Sequence, residues 1–323
     1  MKRIWKEIGI ALFMGMILPG FLLNLAVKWK DRKLIGESYT GYTVPKETME
    51  SQKLTVRVLL PGETKEEMDI DTYLTGVVLG EMPASFEEEA LKAQAVVART
   101  YTLKAVRTGG KHGNGSICTD SGCCQAYISR EEYLRTGTEN AVKKVEDAVY
   151  ATSGQVLTYQ GELIEAVYFS CSGGSTEDAV AVWGTDYPYL RATESPGEEY
   201  AAYYTDSVHF SAAEFCNKLG QAIIGDPKGW IGYATYTAGG GVNTIRIGER
   251  EYKGTEVRAL LGLRSTVFTM KAEEEGITVT TKGFGHRVGM SQYGAEAMAA
   301  GGSAYPEILA HYYSGTELTF YRN

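Results

Sequence analysis

The amino-acid sequence predicts an α+β fold, with mostly antiparallel strands and several helices in a two-lobed soluble part behind an N-terminal transmembrane helix. Short segments in which apolar and polar residues alternate predict the strands, and apolar residues at helical spacing predict the helices. The chain has 323 residues, of which 44% are hydrophobic. That length allows one large domain or two ordinary ones, and that composition supplies a sizeable core.

The first 50 residues are predicted to attach the chain to a membrane. Residues 8–27 carry no charged side chain, and about 20 apolar residues cross a bilayer as a helix. A cleavable signal peptide is the alternative, but basic residues rather than a small-residue cleavage site follow this stretch, which favours an uncleaved anchor. We therefore divide the chain into a short cytoplasmic N-terminus (1–7), the anchor (8–27), a polar stalk (28–50) and the main domain (51–323).

The charge balance argues against a nucleic-acid partner. The formal net charge is −8 and the isoelectric point is about 5.3. Proteins that bind nucleic acid usually carry a basic patch, and the sequence has no run of Lys and Arg beyond its N-terminus.

Elements of the first half follow from local patterns. Alternation over 54–60 predicts a strand, and the apolar stripe within 71–80 predicts a helix that Pro83 ends. The next helix is predicted to begin near Ser85, where Ser-x-x-Glu fits a capping box, and to end at Arg107 before two glycines.

The second half is predicted to alternate strands and helices around an irregular stretch from 171 to 207. The predicted helices are 138–151, 210–219, 255–261, 291–300 and 305–313. The predicted strands are 156–159, 163–169, 243–247, 267–270 and 277–281, and the first two form a hairpin around Gln160-Gly161.

Glu81 is the first candidate for chemistry. It lies seven residues after Leu74 and three after Val78, so it extends the apolar stripe of its helix. Burial disfavours the carboxylate anion and raises the pKa, as a general acid near neutral pH requires. The alternative is an exposed glutamate at a frayed helix end.

A cysteine cluster is the second candidate. Three of the five cysteines fall within seven residues, and His112, Cys118 and Cys124 have the spacing His-x5-Cys-x5-Cys. Imidazole and thiolate are the usual zinc donors, and a loop lets them converge. A Cys118–Cys124 disulfide is the alternative, and Cys123 is an additional thiol beside the set.

Two glycine-rich segments are further candidates. Residues 169–176 combine serines and glycines after a strand, an arrangement that brings backbone N–H groups close to a ligand; a plain turn is the alternative. Residues 283–294 hold four glycines and crowd His286, Gln292 and Tyr293 together.

Taken together, these segments resemble the stage II sporulation protein D family over about residues 54–320. The resemblance is carried by Tyr73–Pro83 running into Glu89–Tyr101, by Cys124–Tyr127, by Tyr168–Gly174, and by Gly285–Ala295 with His311-Tyr312-Tyr313 beyond. The sequence departs from the family pattern at Cys123, Cys171, Arg287 and Glu296.

The resemblance implies a lytic transglycosylase acting on peptidoglycan glycan strands during septal thinning and engulfment in sporulation. Its substrate would be glycan from which a sporulation amidase has removed the stem peptides. Its partners would be that amidase and other engulfment membrane proteins. The chain would be a single-pass membrane protein with its domain outside the cytoplasm, in the septal intermembrane space. A non-catalytic glycan-binding enhancer of a partner N-acetylmuramoyl-L-alanine amidase is the alternative. A zinc peptidase is disfavoured because no His-Glu-x-x-His motif occurs.

The family's residue roles transfer position by position. The catalytic carboxyl corresponds to Glu81, and zinc would be held by His112, Cys118 and Cys124, with a structural or site-organising role. Because the sequence departs from the family pattern at Cys123, this thiol is the alternative to Cys124 as the third ligand. The side chains expected to hold the sugar are Gln125, Ser170, Ser172, Gln292 and Tyr293.

Overall fold

The computed structural model describes residues 54–62 and 64–322. The predicted N-terminus (1–7), anchor (8–27) and stalk (28–50) lie outside the described residues. Within the part that the model describes, no helix is both long and apolar enough to cross a membrane.

The described residues alternate short strands with helices. The strands are β1 (Thr55–Leu59), β2 (Lys65–Asp69), β3 (Ser116–Cys118), β4 (Gln155–Tyr159), β5 (Glu162–Leu163), β6 (Tyr168–Phe169), β7 (Thr205–Ser211), β8 (Ile231–Tyr236), β9 (Val242–Ile247), β10 (Arg250–Lys253), β11 (Val267–Ala272), β12 (Gly276–Lys282), β13 (Met290–Ser291) and β14 (Glu317–Phe320). The helices are α1 (Ile70–Glu81), α2 (Glu88–Arg107), α3 (Arg130–Tyr133), α4 (Glu139–Ala151), α5 (Ala179–Trp183), α6 (Ala212–Leu219), α7 (Gly254–Leu261), α8 (Gln292–Ala300) and α9 (Tyr305–Tyr312).

The strands form small sheets in the orders β2-β1-β3, β14-β4-β5, β13-β6, β10-β9-β8 and β11-β12-β7. The pairs β1/β3 and β6/β13 are parallel, and the other pairs are antiparallel. The predicted α+β class with mostly antiparallel strands is therefore confirmed.

Two hydrophobic clusters organise these elements. The first is built on α1, α2, α4 and the C-terminal helices α8 and α9. The second is built on β7 to β12 with α6 and α7. Each cluster buries its own apolar side chains, so the fold contains two centres of packing, as a two-lobed chain requires.

A buried ion pair fixes the helices of the first cluster. Arg99 on α2 is fully buried, and its Nη2 lies 2.9 Å from Asp71 Oδ1 on α1. The guanidinium also donates to the carbonyls of Val149, Thr152 and Gln155 at the end of α4 and the start of β4. A buried cation is tolerated only with such partners, so Arg99 holds α1, α4 and β4 against α2.

Three element boundaries differ from prediction for tertiary reasons. The helix α2 begins at Glu88 without a capping box at Ser85; its N-cap residue, Glu87, instead donates its backbone N–H to Glu296 Oε2 at 2.5 Å. The segment around Phe210 is a strand that pairs with β12, and the helix begins only after Ser211. The predicted strand 163–169 breaks into β5, in the confirmed hairpin with β4, and β6, which pairs with β13.

We predict that Arg99→Met lowers the free energy of unfolding by about 3 to 5 kcal/mol, because it leaves the Asp71 carboxylate and three carbonyls buried without their donor. Arg107 on the same helix is a matched control, since its ion pair with Glu162 is exposed. Arg107→Met should cost about 0 to 1 kcal/mol. Chemical denaturation of both variants measures the difference, and equal losses would contradict the role given to Arg99.

Candidate functional site

Glu81 is the last residue of α1, a helix that is buried over most of its length. The following Met82 is extended and Pro83 comes next, so the helix stops and presents the Glu81 side chain beyond its end. The carboxyl is half-buried, as the extension of the apolar stripe predicted.

Two glycines of α1 let another segment lie directly on the helix. A Cβ at Gly76 would fall 2.2 Å from the Tyr127 ring, and one at Gly80 would fall 3.0 Å from the Tyr127 backbone nitrogen. The backbone of 126–128 therefore runs along α1 at close range, and Ile128 donates its N–H to the Gly76 carbonyl at 3.0 Å. This contact brings a backbone donor to Glu81.

One carboxylate oxygen of Glu81 accepts two hydrogen bonds. The Ala126 N–H donates to Oε1 at 2.7 Å, and the Tyr168 hydroxyl donates to the same atom at 3.2 Å. Both bonds hold the carboxyl in one orientation and leave Oε2 for other partners.

A directional chain of hydrogen bonds orients Tyr168. The Thr102 hydroxyl donates to Gln125 Oε1 at 2.8 Å, and Gln125 Nε2 donates to the Tyr168 hydroxyl at 3.1 Å. Because that hydroxyl oxygen already accepts a bond, its own hydrogen points to Glu81. Burial raises the pKa of Tyr168 well above its usual range, so it remains a donor at neutral pH.

Burial is the largest influence on the Glu81 carboxyl and raises its pKa above the usual value. The Ala126 N–H and the Tyr168 hydroxyl oppose this shift most, because both donate a hydrogen bond to the anion, and the nearby Gln292 amide opposes it more weakly. Gln292 is buried, and its Nε2 has no hydrogen-bond partner among the described residues. This amide beside Glu81 is a polar group available to a ligand.

The segment after β6 is built around a buried carboxylate. Glu198 is fully buried, and its Oε2 accepts the Ser172 hydroxyl at 2.9 Å and the Ser172 N–H at 2.7 Å. Its Oε1 accepts the Ser195 hydroxyl at 2.5 Å. Ser170 is half-exposed and offers its carbonyl to the Tyr293 N–H at 3.0 Å. Glu198 thus fixes the shape of the serine-glycine turn.

Tyr293 belongs to a set of contacting aromatic rings next to Gln292. Its ring is 5.1 Å from Phe86 and 5.7 Å from Tyr200, edge to face in both cases. Tyr293 is half-buried and Tyr200 is 58% exposed. Tyr293 and Tyr200 therefore form a partly solvent-facing aromatic surface, with the buried Phe86 ring packed against it.

The cysteine cluster contains four donor atoms rather than three. His112, Cys118, Cys123 and Cys124 place their ligand atoms within 4.8 Å of one another. The Cys123 and Cys124 Sγ atoms lie 3.5 and 3.6 Å from His112 Nε2, and 4.0 Å from each other. Donors around a tetrahedral zinc ion stand about 3.5 to 4 Å apart, so the donor set fits that ion. The five cysteines form no disulfide bond with one another, so the Cys118–Cys124 alternative is not seen.

The sequence-predicted residues have different positions relative to Glu81. Gln292 lies beside the carboxyl, and Gln125 is connected to it through Tyr168. Ser170 and Tyr293 are partly exposed, whereas the Ser172 hydroxyl is buried and already used by Glu198. Ser172 and Gln125 are buried, and their side chains hold Glu198 and Tyr168 in position.

The sequence does not single out two groups that contact Glu81. Tyr168 lies in a family motif, but nothing in its local pattern indicates a hydrogen bond to a residue 87 positions away. The Ala126 N–H is a backbone group, so residue type gives no signal for it. Cys123 is predicted only as an alternative to Cys124, whereas the structure brings both thiols into one cluster.

Comparison with known proteins assigns the chain to the sporulation proteins. A family model described as stage II sporulation protein matches residues 62–159. Stage II sporulation protein D of Bacillus subtilis is 39% identical over 280 residues, which cover 84% of this chain and 81% of that protein. The chain therefore belongs to the stage II sporulation protein D family.

Two further relatives extend the comparison. Stage II sporulation protein D of Bacillus amyloliquefaciens is 40% identical over 260 residues, which cover 79% of this chain and 75% of that protein. A Bacillus subtilis protein named amidase enhancer is 30% identical over 301 residues, covering 77% of this chain and 40% of that protein.

Proposed function

We propose that this chain is a lytic transglycosylase that cleaves the bond between N-acetylmuramic acid and N-acetylglucosamine in glycan strands without stem peptides. The products would carry 1,6-anhydro-N-acetylmuramic acid ends. One observation carries the proposal: the half-buried Glu81 carboxyl is held through Oε1 by the Ala126 N–H and the Tyr168 hydroxyl, and burial raises its pKa. Hydrolysing glycosidases use two carboxyl groups, whereas ring closure by the substrate's own hydroxyl needs one.

In the first step, protonated Glu81 donates its proton to the glycosidic oxygen. The bond from that oxygen to C1 of N-acetylmuramic acid breaks, and an oxocarbenium-like state develops. Ala126 and Tyr168 both donate to Oε1, so Oε2 carries the proton. The same two donors stabilise the carboxylate that remains after the transfer.

In the second step, the Glu81 carboxylate removes the proton from the C6 hydroxyl of the same muramic acid. The C6 oxygen bonds to C1 and closes the 1,6-anhydro ring, no water is consumed, and Glu81 is protonated again. Attack within one sugar gains from proximity. Gln292, Tyr293 and Ser170 hold the sugar, while Gln125 and Ser172 hold the residues that shape the site.

The four-donor cluster is proposed to hold zinc as a structural ion. His112, Cys118, Cys123 and Cys124 fill four coordination positions, and structural zinc sites are closed in this way. Bound zinc would cross-link the loop that precedes Gln125 and Ala126, and so fix the backbone donor that Glu81 uses. No open position remains for catalysis.

We place the chain at the cell membrane, anchored by residues 8–27 with its domain in the septal intermembrane space of a sporulating cell. Peptidoglycan lies outside the cytoplasm, so the proposed substrate requires that orientation. A sporulation amidase would supply glycan without stem peptides. Other engulfment membrane proteins would be further partners.

The relative named amidase enhancer favours a second function. In that alternative the site around Glu81 binds glycan without cutting it, and the chain increases the activity of a partner N-acetylmuramoyl-L-alanine amidase. Glu81 would then have no chemical role.

We predict that the 323-residue chain converts amidase-treated peptidoglycan into products about 18 Da lighter than hydrolysis products, because one water is not consumed. Glu81→Gln should lower the rate by about 10²- to 10⁴-fold, the usual contribution of a general acid and base. Activity should also decline as the pH rises above the raised Glu81 pKa, since the acid form is then depleted. Mass analysis of timed digests measures both.

The matched control is Glu296→Gln, because Glu296 is a half-buried carboxyl on α8 that holds the Glu87 N–H. It should retain most of the activity. If neither wild type nor Glu81→Gln cuts the glycan, and both stimulate an amidase equally, the enhancer function replaces the transglycosylase.

For the metal we predict that cobalt-substituted protein shows charge-transfer absorption from three thiolates. Cys123→Ser should reduce that absorption by about one third and weaken metal binding, because one of three thiolate ligands is lost. Cys216→Ser is the control, since Cys216 packs against the second cluster. An unchanged spectrum in Cys123→Ser would show a site with only His112, Cys118 and Cys124.

A further inference from the structure

Tyr293 belongs to a strip of aromatic side chains. We call it the aromatic strip: Tyr293, Tyr200, Tyr203 and Phe284 are partly exposed, and the buried ring of Phe86 packs behind Tyr293. Tyr200, Tyr203 and Phe284 are 58%, 48% and 40% exposed, respectively. Large aromatic rings left open to solvent in this way are typical of binding surfaces.

The strip is continuous. Phe86, Tyr293 and Tyr200 contact one another in sequence at 5.1 and 5.7 Å between ring centroids. Tyr203 and Phe284 pack edge to face at 5.9 Å. Tyr200 and Tyr203 lie on two consecutive turns, closed by the bonds from the Ala201 N–H to the Glu198 carbonyl and from the Tyr204 N–H to the Ala201 carbonyl, and this backbone connects the two groups of rings.

A cation lies on the strip. The Arg264 guanidinium is 5.1 Å from the Tyr203 ring centroid and 5.8 Å from that of Phe284. Its side chain is 31% exposed, and its Nε lies 3.3 Å from Asp206 Oδ2. No hydrogen bond of its Nη groups is found among the described residues, so this side of the guanidinium can take a bidentate anion.

We propose that the aromatic strip is an extended binding surface for a glycan strand, and that Arg264 recognises a carboxylate on that strand. This inference rests on the proposed function and names the feature of the substrate that the site selects. The apolar faces of pyranose rings pack on exposed aromatic rings. Muramic acid residues carry a lactyl carboxylate that is free only when the stem peptide has been removed.

The chemistry gives Arg264 a selective role. An amide-linked stem peptide removes the charge of the lactyl group and adds bulk, whereas the free carboxylate offers two oxygens to the guanidinium. The chain carries a net charge of −8, so an anionic strand gains little from the overall field and needs a local cation. Asp206 competes for the same cation.

The test is a binding measurement in the Glu81→Gln background, which prevents cutting and reads binding whether or not the chain is a transglycosylase. The probes are amidase-treated glycan strands, the same strands with their carboxylates converted to methylamides, and chitohexaose. We expect Arg264→Gln to weaken binding of the free-acid strands about tenfold, the size of a charged hydrogen bond. Binding of the other two probes should be unchanged.

Two further variants separate the rings from the cation. Tyr203→Ala should weaken all three probes, because it removes part of the stacking surface. Asp206→Asn should tighten binding of the free-acid strands alone, since it releases Arg264 from its competitor. A damaged fold would weaken binding, so a gain in affinity cannot result from misfolding.

Arg250 provides a matched control. It lies 4.3 Å from the Tyr252 ring and pairs with Glu256, an arrangement like that of Arg264 at a place outside the strip. Arg250→Gln should leave all binding unchanged. Equal affinity of the Arg264→Gln and Arg250→Gln proteins for free-acid strands would overturn the role of Arg264. Unchanged glycan binding in Tyr203→Ala would overturn the strip, even if the protein with Glu81 intact cuts glycan.

Discussion

The structure of the site depends on the burial of one carboxyl at the end of a buried helix. Desolvation raises the pKa of Glu81. The Ala126 N–H and the Tyr168 hydroxyl both donate to Oε1 and stabilise the carboxylate form. A group that must both give and take a proton needs this balance. Gly76 and Gly80 make it possible, because only a helix face without side chains admits the segment that carries the Ala126 N–H.

A second buried charge joins the two hydrophobic clusters. Arg287 adopts a positive φ of 68° and directs its guanidinium to the carbonyls of Ser172 and Gly239, while Glu177 and Thr266 also contact it. Burial lowers the pKa of Arg287 to about 10, and Glu177 opposes that shift. The serine-glycine turn of the first cluster is thereby tied to the strands of the second, at the cost of a strained backbone.

The longer helices and about half of the strands follow from sequence because periodicity and turn residues determine them locally. The strand at Phe210 and the start of α2 were wrong because tertiary pairing, with β12 and with Glu296, decides those boundaries. The half-buried position of Glu81 follows from the apolar stripe that it extends. The hydrogen bond from Tyr168 and the inclusion of both Cys123 and Cys124 in one cluster do not follow from the sequence, since long-range hydrogen bonds and loop closure leave no local pattern.

The central claim is that Glu81 is held as a desolvated acid, and direct titration of its side-chain carboxyl by carbon NMR tests it most directly. Comparison with Glu81→Gln assigns the resonance in the 323-residue chain. The account predicts a pKa above the ordinary value of 4.5, so that part of the population remains protonated as the pH rises beyond that value. A pKa at or below 4.5 would contradict it, because the hydrogen bonds would then outweigh burial and leave no acid to donate.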